Sequence, residues 1–149
     1  MTRALRFVVL AALSVALVVP AGASASSAPM KVFKRINRIR AHHGLRKLHL
    51  SRSLERSARR YSHYQMRHGY FGHSSRIHAS RRYRTLGEIL EMHYGRKAAP
   101  GFAVHNWMHS SPHRSIILSR SFRAAGAGFA VGRFHGRRSV IWTMHFGRR

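Results

Sequence analysis

His73, Glu88 and His113 are the side chains of this sequence whose types could combine into a reactive or ligand-holding site. Neutral imidazoles such as those of His73 and His113 can ligate zinc or another divalent metal if the fold joins them. A catalytic zinc takes three protein ligands and keeps a position open for water, and only two ligands are placed here. Glu88 could orient one histidine or take a proton from a bound water. Glu91, three residues later, would share its side if the segment turned helically. Ser110 precedes His113 by three residues, and Ser74, Ser75 and Ser111 also lie near the histidines. None is set in a nucleophile-elbow pattern, so a Ser-His-Glu hydrolase lacks its signature. The same residues could equally form a histidine–carboxylate hydrogen-bond network that braces a cleft without metal.

Composition narrows these chemistries. The chain has 149 residues, no cysteine, 28 lysines and arginines, and three acids, for a formal net charge of +25. Thiol nucleophiles, disulfides and Cys-ligated metals are excluded, and any carboxylate chemistry falls to Glu55, Glu88 or Glu91. Glu55 stands four residues before Arg59, the favourable order for a helical ion pair. So basic a chain attracts anionic polymers: nucleic acid, anionic lipid headgroups or acidic wall polymer.

The elements that must position the candidates follow from periodicity. Lys31 to His43 is helical, with Val32, Ile36 and Ile39 on one face, Arg40 on another, and Gly44 as the stop. Ser51 caps a second helix whose stripe is Leu54, Ala58 and Tyr61, and Gly69 ends it. That helix delivers the chain into Tyr70-Phe71-Gly72-His73. Residues 76–84 read as a basic surface loop, and Thr85 to Tyr94 fits either a short strand or a helical turn. A short helix over Phe102 to His109, interrupted by Pro112, leads to another turn or two over His113 to Ser119. Ala124 to Phe134 and Ser139 to Phe146 give the clearest hairpin signal. Gly126 and Gly128 within it suit the close approach of another element rather than a dinucleotide fingerprint. Tyr61, Tyr70, Phe71, Trp107 and Trp142 fall at apolar-period positions and suit core or cleft wall rather than a stacking platform. The remaining histidines, His105 among them, lack ligand-pair spacing. The order of elements predicts an α+β layer arrangement, helices covering a small antiparallel sheet.

The first 25 residues stand apart. Arg3 and Arg6 precede an apolar run of about 13 residues, short of the ~20 that span a bilayer. Pro20 and then Ala23-x-Ala25 follow, as in a cleavable secretory signal peptide over residues 1–25, leaving residues 26–149 as one domain.

Several separated segments resemble one family, the CAP superfamily (cysteine-rich secretory proteins, antigen 5, pathogenesis-related 1; SCP-like) in its short bacterial secreted form. Ile36-Asn37-x-x-Arg40 with Gly44-Leu45-x-x-Leu48 looks like its opening helix, and Ser51-x-x-Leu54-x-x-x-Ala58 like its second. Phe71-x-His73-Ser74 fits its F-x-H-S loop, Gly87-Glu88 its G-E-N step, and Trp107-x-x-Ser110-x-x-His113-Arg114 its W-x-x-S-P-G-H-R segment. Gly126-x-Gly128 and Trp142-Thr143-x-x-Phe146-Gly147 resemble its closing strands. The resemblance implies an α–β–α sandwich with a surface cleft, where two histidines and one or two acids can hold a divalent metal, often zinc. It carries over His73, Glu88 and His113, but Ser110 stands where longer members have a second glutamate. Ile89, Ser111-Pro112 and Met144 also depart from the pattern.

The expected function is a secreted, non-enzymatic binding module for an anionic or lipid-like ligand, such as a cell-wall polymer or lipid. The rival is a metal-assisted hydrolase using His73, Glu88 and His113. A third reading, nucleic-acid binding by bulk charge, suits an exported protein less well.

Overall fold

The computed structural model describes residues 27–149 apart from Arg96, so the expected leader over residues 1–25 lies outside the described residues. No described helix is long and apolar enough to cross a membrane. The chain runs α1 (Ala28–His42), β1 (His49–Leu50), α2 (Arg52–His68), β2 (Thr85–Tyr94), α3 (Pro100–His109), α4 (Ser111–Ile117), β3 (Ala124–Phe134) and β4 (Arg137–Arg148). The sheet order is β1-β3-β4-β2. Antiparallel pairing joins β3 to β4 and β4 to β2, while the two-residue β1 adds a parallel edge that the sequence did not signal.

Strand alternation sorts the sheet's side chains into two layers. One face carries Ile89, Ala125, Ala127, Val140, Trp142, Met144 and Phe146, packed against Val32 and Ile36 of α1, Trp107 of α3 and Ile117 of α4. The other face meets α2, so the domain is a three-layered α–β–α sandwich. Gly126 and Gly128 permit that contact: an added Cβ would lie 2.2 Å from the Glu55 backbone nitrogen and 2.3 Å from that of Arg59.

Three local readings change. The 85–94 segment is a full strand, because all ten of its residues pair with β4 and its Ile89 and Leu90 are buried between layers. Arg40 is fully buried rather than solvated. Its guanidinium donates to the carbonyls of Arg46 (3.0 Å), Ile117 (2.6 Å) and Ser119 (2.9 Å), satisfying the C-terminal end of α4. Burial, then the nearby charge of Arg123, lowers its pKa. Glu55 makes no ion pair with Arg59: the ion pairs found among the described residues are all between histidine and glutamate.

The caps behave as their residue types dictate. The Ser51 hydroxyl accepts from the Leu54 N–H at 3.3 Å, and Gly69 ends α2 in the left-handed region with φ 57°. A β-branched or bulky residue there would be strained, and the loop carrying His73 starts at this point.

Candidate functional site

The His73 loop is held by α2 from beneath. Tyr61 Oη (2.7 Å) and Gln65 Nε2 (3.0 Å) both donate to the Gly72 carbonyl, fixing the backbone next to His73. Glu88 rises from β2 on the same face of the sheet. His73 Nδ1 donates to Glu88 Oε1 at 2.9 Å, and the Ser74 N–H donates to the same oxygen at 2.8 Å. The second oxygen, Oε2, accepts from His145 Nε2 at 2.9 Å. His145 lies directly opposite Glu88 in the β2–β4 register, which places both side chains on one face.

This is a His–Glu–His line with graded burial. His145 and Glu88 are almost wholly enclosed, whereas the His73 side chain is 65% exposed. Burial opposes ionisation of Glu88, but hydrogen bonds from His145, from the Ser74 backbone and from His73 outweigh it, with the charge of His145 adding to them. Its carboxyl therefore sits below the ordinary range. The Nδ1 atom of His145 is buried without a hydrogen-bond partner. The cavity above this line has a volume of about 600 Å³. Tyr61, Tyr64 and Tyr70 give it aromatic walls, Arg60 and Arg76 supply cationic side chains, and His78 lies beside them. Burial raises the Tyr61 pKa, and the Glu88 carboxylate raises it further, so its hydroxyl stays a donor.

His113 stands at the start of α4, half-buried. Burial pushes its pKa down, and the charge of His73 adds to that, so the two histidines are electrostatic neighbours, although His113 does not line the cavity. Ser110 is the joint between α3 and α4, in extended conformation, and its N–H is bonded to the Trp107 carbonyl. It brings no acid to the cleft.

Glu91 does not join the cleft. Three residues along a strand reverse the face, so its carboxylate points to α3, accepting from His93 Nδ1 at 3.0 Å and Asn106 Nδ2 at 3.0 Å. Both Glu88 oxygens are already hydrogen-bonded, and no group of three or more His, Cys, Asp or Glu among the described residues is arranged to hold a metal ion. The described donor set thus does not fit a three-ligand metal centre.

The matched pieces of sequence now have one spatial logic, and residues 33–146 match the family model of the cysteine-rich secretory protein family, CAP. The chain belongs to the CAP family. An uncharacterized protein of Bacillus subtilis (strain 168), YkwD, is 31% identical over 135 residues, covering 85% of this chain and 49% of its own length. The chain therefore spans about half the length of the curated relative it matches. Among solved structures, an extracellular protein containing a SCP domain from Bacillus anthracis str. Ames superposes with TM-score 0.66 at 22% identity, covering 82% of this chain and 40% of that one. An outer surface protein from Borrelia burgdorferi gives TM-score 0.66 at 17% identity, covering 79% of this chain and 90% of that one. At these identities the structural likeness shows the fold.

Against the CAP pattern the residue missed from sequence is His145. Its only signal was register: once β2 is a strand paired with β4, the residue opposite Glu88 follows. Tyr64 was missed as a wall for a simpler reason, since it lies off the apolar stripe of α2 and is 45% exposed. His105 and His109, one turn apart on α3, do have pair spacing, with ring centroids 4.0 Å apart. Trp107 and Trp142 are core, as expected, while Tyr70 and Phe71 are exposed.

Proposed function

We propose that this CAP-domain chain acts outside the cell as a non-enzymatic binding module whose cleft takes an anionic, lipid-like ligand. What supports binding over hydrolysis is the state of Glu88. The cleft's one carboxylate has both oxygens engaged by His73, Ser74 and His145, which suits bracing and leaves no free carboxylate beside the open face. Aromatic walls with a cationic rim match a molecule with an apolar body and an acidic head. The extracellular or outer-surface description of the Bacillus anthracis and Borrelia burgdorferi structures is consistent with an exported protein, associated with the cell wall or free. A divalent metal such as zinc would meet the imidazole of His73 in the cleft, with His113 as a neighbour that does not line the cavity.

The test is calorimetric titration with a lysophosphatidylglycerol below its micelle concentration. Saturable one-to-one binding, weakened about tenfold in Tyr64→Ala/Tyr70→Ala and in Arg76→Gln, is the expected result. Turnover of the probe that disappears in Glu88→Gln, with the fold intact, would replace this reading with the hydrolase.

A further inference from the structure

A second concave site lies beside the cleft. A groove of about 890 Å³ runs between the first turns of α2, the loop over residues 76–84 and the ends of the sheet at β1, β3 and β4. Arg56, Arg60, Arg82, Arg123, Arg148 and Arg149 line it, all exposed. They come from four separate segments, so the cluster is made by the fold and not by one basic run. No glutamate lines the groove. Glu55 lies in an adjoining depression with Arg52, Arg56 and Arg59. Among the described residues no arginine is paired with a carboxylate, and Arg56 and Arg60 stack like charges one helical turn apart, which is unfavourable without a counter-ion.

Two of the six are already positioned. Arg60 Nη2 donates to the His78 carbonyl at 3.1 Å, and Arg123 Nη1 donates to the carbonyls of Arg120 and Phe122. Their guanidiniums therefore lose less freedom on meeting a ligand. The N-terminal end of α2 opens into the same space through Ser51 and Ser53, adding its dipole.

We infer that this groove binds the phosphodiesters of a linear polyanion without bases, such as a polyol-phosphate chain. The guanidinium fork matches phosphate oxygens in a bidentate way. Nucleic acid is disfavoured because no Phe or Trp lines the groove, the hydroxyl of its one tyrosine, Tyr83, is tied to the Ser51 hydroxyl at 2.8 Å, and beyond that only the small imidazoles of His49 and His78 offer a ring, whereas single strands need stacking platforms. A flat membrane is disfavoured because the site is concave and Leu50 is its one exposed large apolar residue. Arg60 and His78 also line the cleft, so a chain in the groove can continue toward His73. The inference deepens the proposed function by placing the charge-driven affinity at one locus.

The probe is fluorescently labelled poly(glycerol phosphate), followed by anisotropy at fixed salt. Arg82→Gln/Arg148→Gln/Arg149→Gln removes three exposed groove charges. Arg38→Gln/Arg67→Gln/Arg138→Gln removes three outside it. The expected result is at least a tenfold weakening in the groove variant and less than threefold in the control, with both melting like the parent. Equal weakening in the two would overturn the inference, because affinity would then follow net charge. Tighter binding of single-stranded oligo-dT or of phosphatidylglycerol vesicles than of the probe would overturn it too. The lysophosphatidylglycerol titration of the cleft is separate, so it can fail while the groove result stands, and the reverse.

Discussion

Replacing Glu88 with glutamine keeps its shape and removes its charge, so it isolates what the ionised carboxylate contributes. Three hydrogen bonds are affected: His73 Nδ1 and Ser74 N–H to Oε1 lose their charge assistance, and the amide nitrogen that replaces Oε2 can no longer accept from His145 Nε2 unless that imidazole changes tautomer. A hydrogen bond to a charged group contributes about 1.5–3 kcal/mol against roughly 1 for a neutral one, so each loses about 1 kcal/mol. The His73 bond is discounted because that side chain is 65% exposed and screened by water. The expected destabilisation at pH 7 is therefore about 2 kcal/mol, or roughly 8 °C in Tm for a domain of this size.

The pH dependence gives the sign. The folded carboxyl of Glu88 lies below its unfolded value, so its stabilisation is fully present above the ordinary carboxylate range. It is lost as pH falls through the folded value, where parent and Glu88→Gln should converge. His73, His145 and Tyr61 surround the group, so the comparison is the difference between the two proteins at each pH, measured by urea unfolding from pH 7 to pH 2.5. A gap under about 0.5 kcal/mol at pH 7, or one that persists unchanged into acid, would refute the assignment of Glu88 as an ionised brace.

Other perturbations follow from the same geometry. Gly128→Ala puts a methyl group 2.3 Å from the Arg59 backbone nitrogen, so α2 must move off the sheet at a cost of about 3 kcal/mol or more in denaturant unfolding. Arg40→Met leaves the Arg46, Ile117 and Ser119 carbonyls without their donor and should cost about 2–4 kcal/mol by the same measurement. Zinc titration by calorimetry should give weak binding that His73→Ala/His113→Ala abolishes. Identical isotherms would remove these two residues from metal binding.

The helices were legible because their signals are local. Ser51 and Gly69 bracket α2 as cap and stop, and Leu54 and Ala58 mark its buried stripe. The hairpin was legible for the same reason. Glu91 and Arg40 were not, because each depends on a distant partner. Glu91 would share the side of Glu88 only if 85–94 turned helically, and it is pairing with β4 that imposes the period of two. Arg40 sits in a basic stretch between Arg38 and His42, and only the return of the chain at Arg46 and the approach of α4 supply the carbonyls that bury it. His145 lies in the same class: its role exists only through its register with Glu88.

The disposition of the acids then bears on ligand choice. With three glutamates in the chain, two are enclosed in histidine networks, Glu88 facing α2 and Glu91 facing α3. Their negative charge is internal, where it orders imidazoles and does not shield the arginines outside. Glu55 is the one acid left near the surface, beside Arg52, Arg56 and Arg59. An approaching anion thus meets guanidinium with almost no competing carboxylate, and the field alone does not discriminate among anions. Selectivity must come from concave shape and from what lines it: tyrosines in the cleft, arginines with little aromatic surface in the groove. Two adjoining sites that share Arg60 and His78 but differ in wall chemistry would let one basic domain grip a polyanion and sample an acidic lipid beside it.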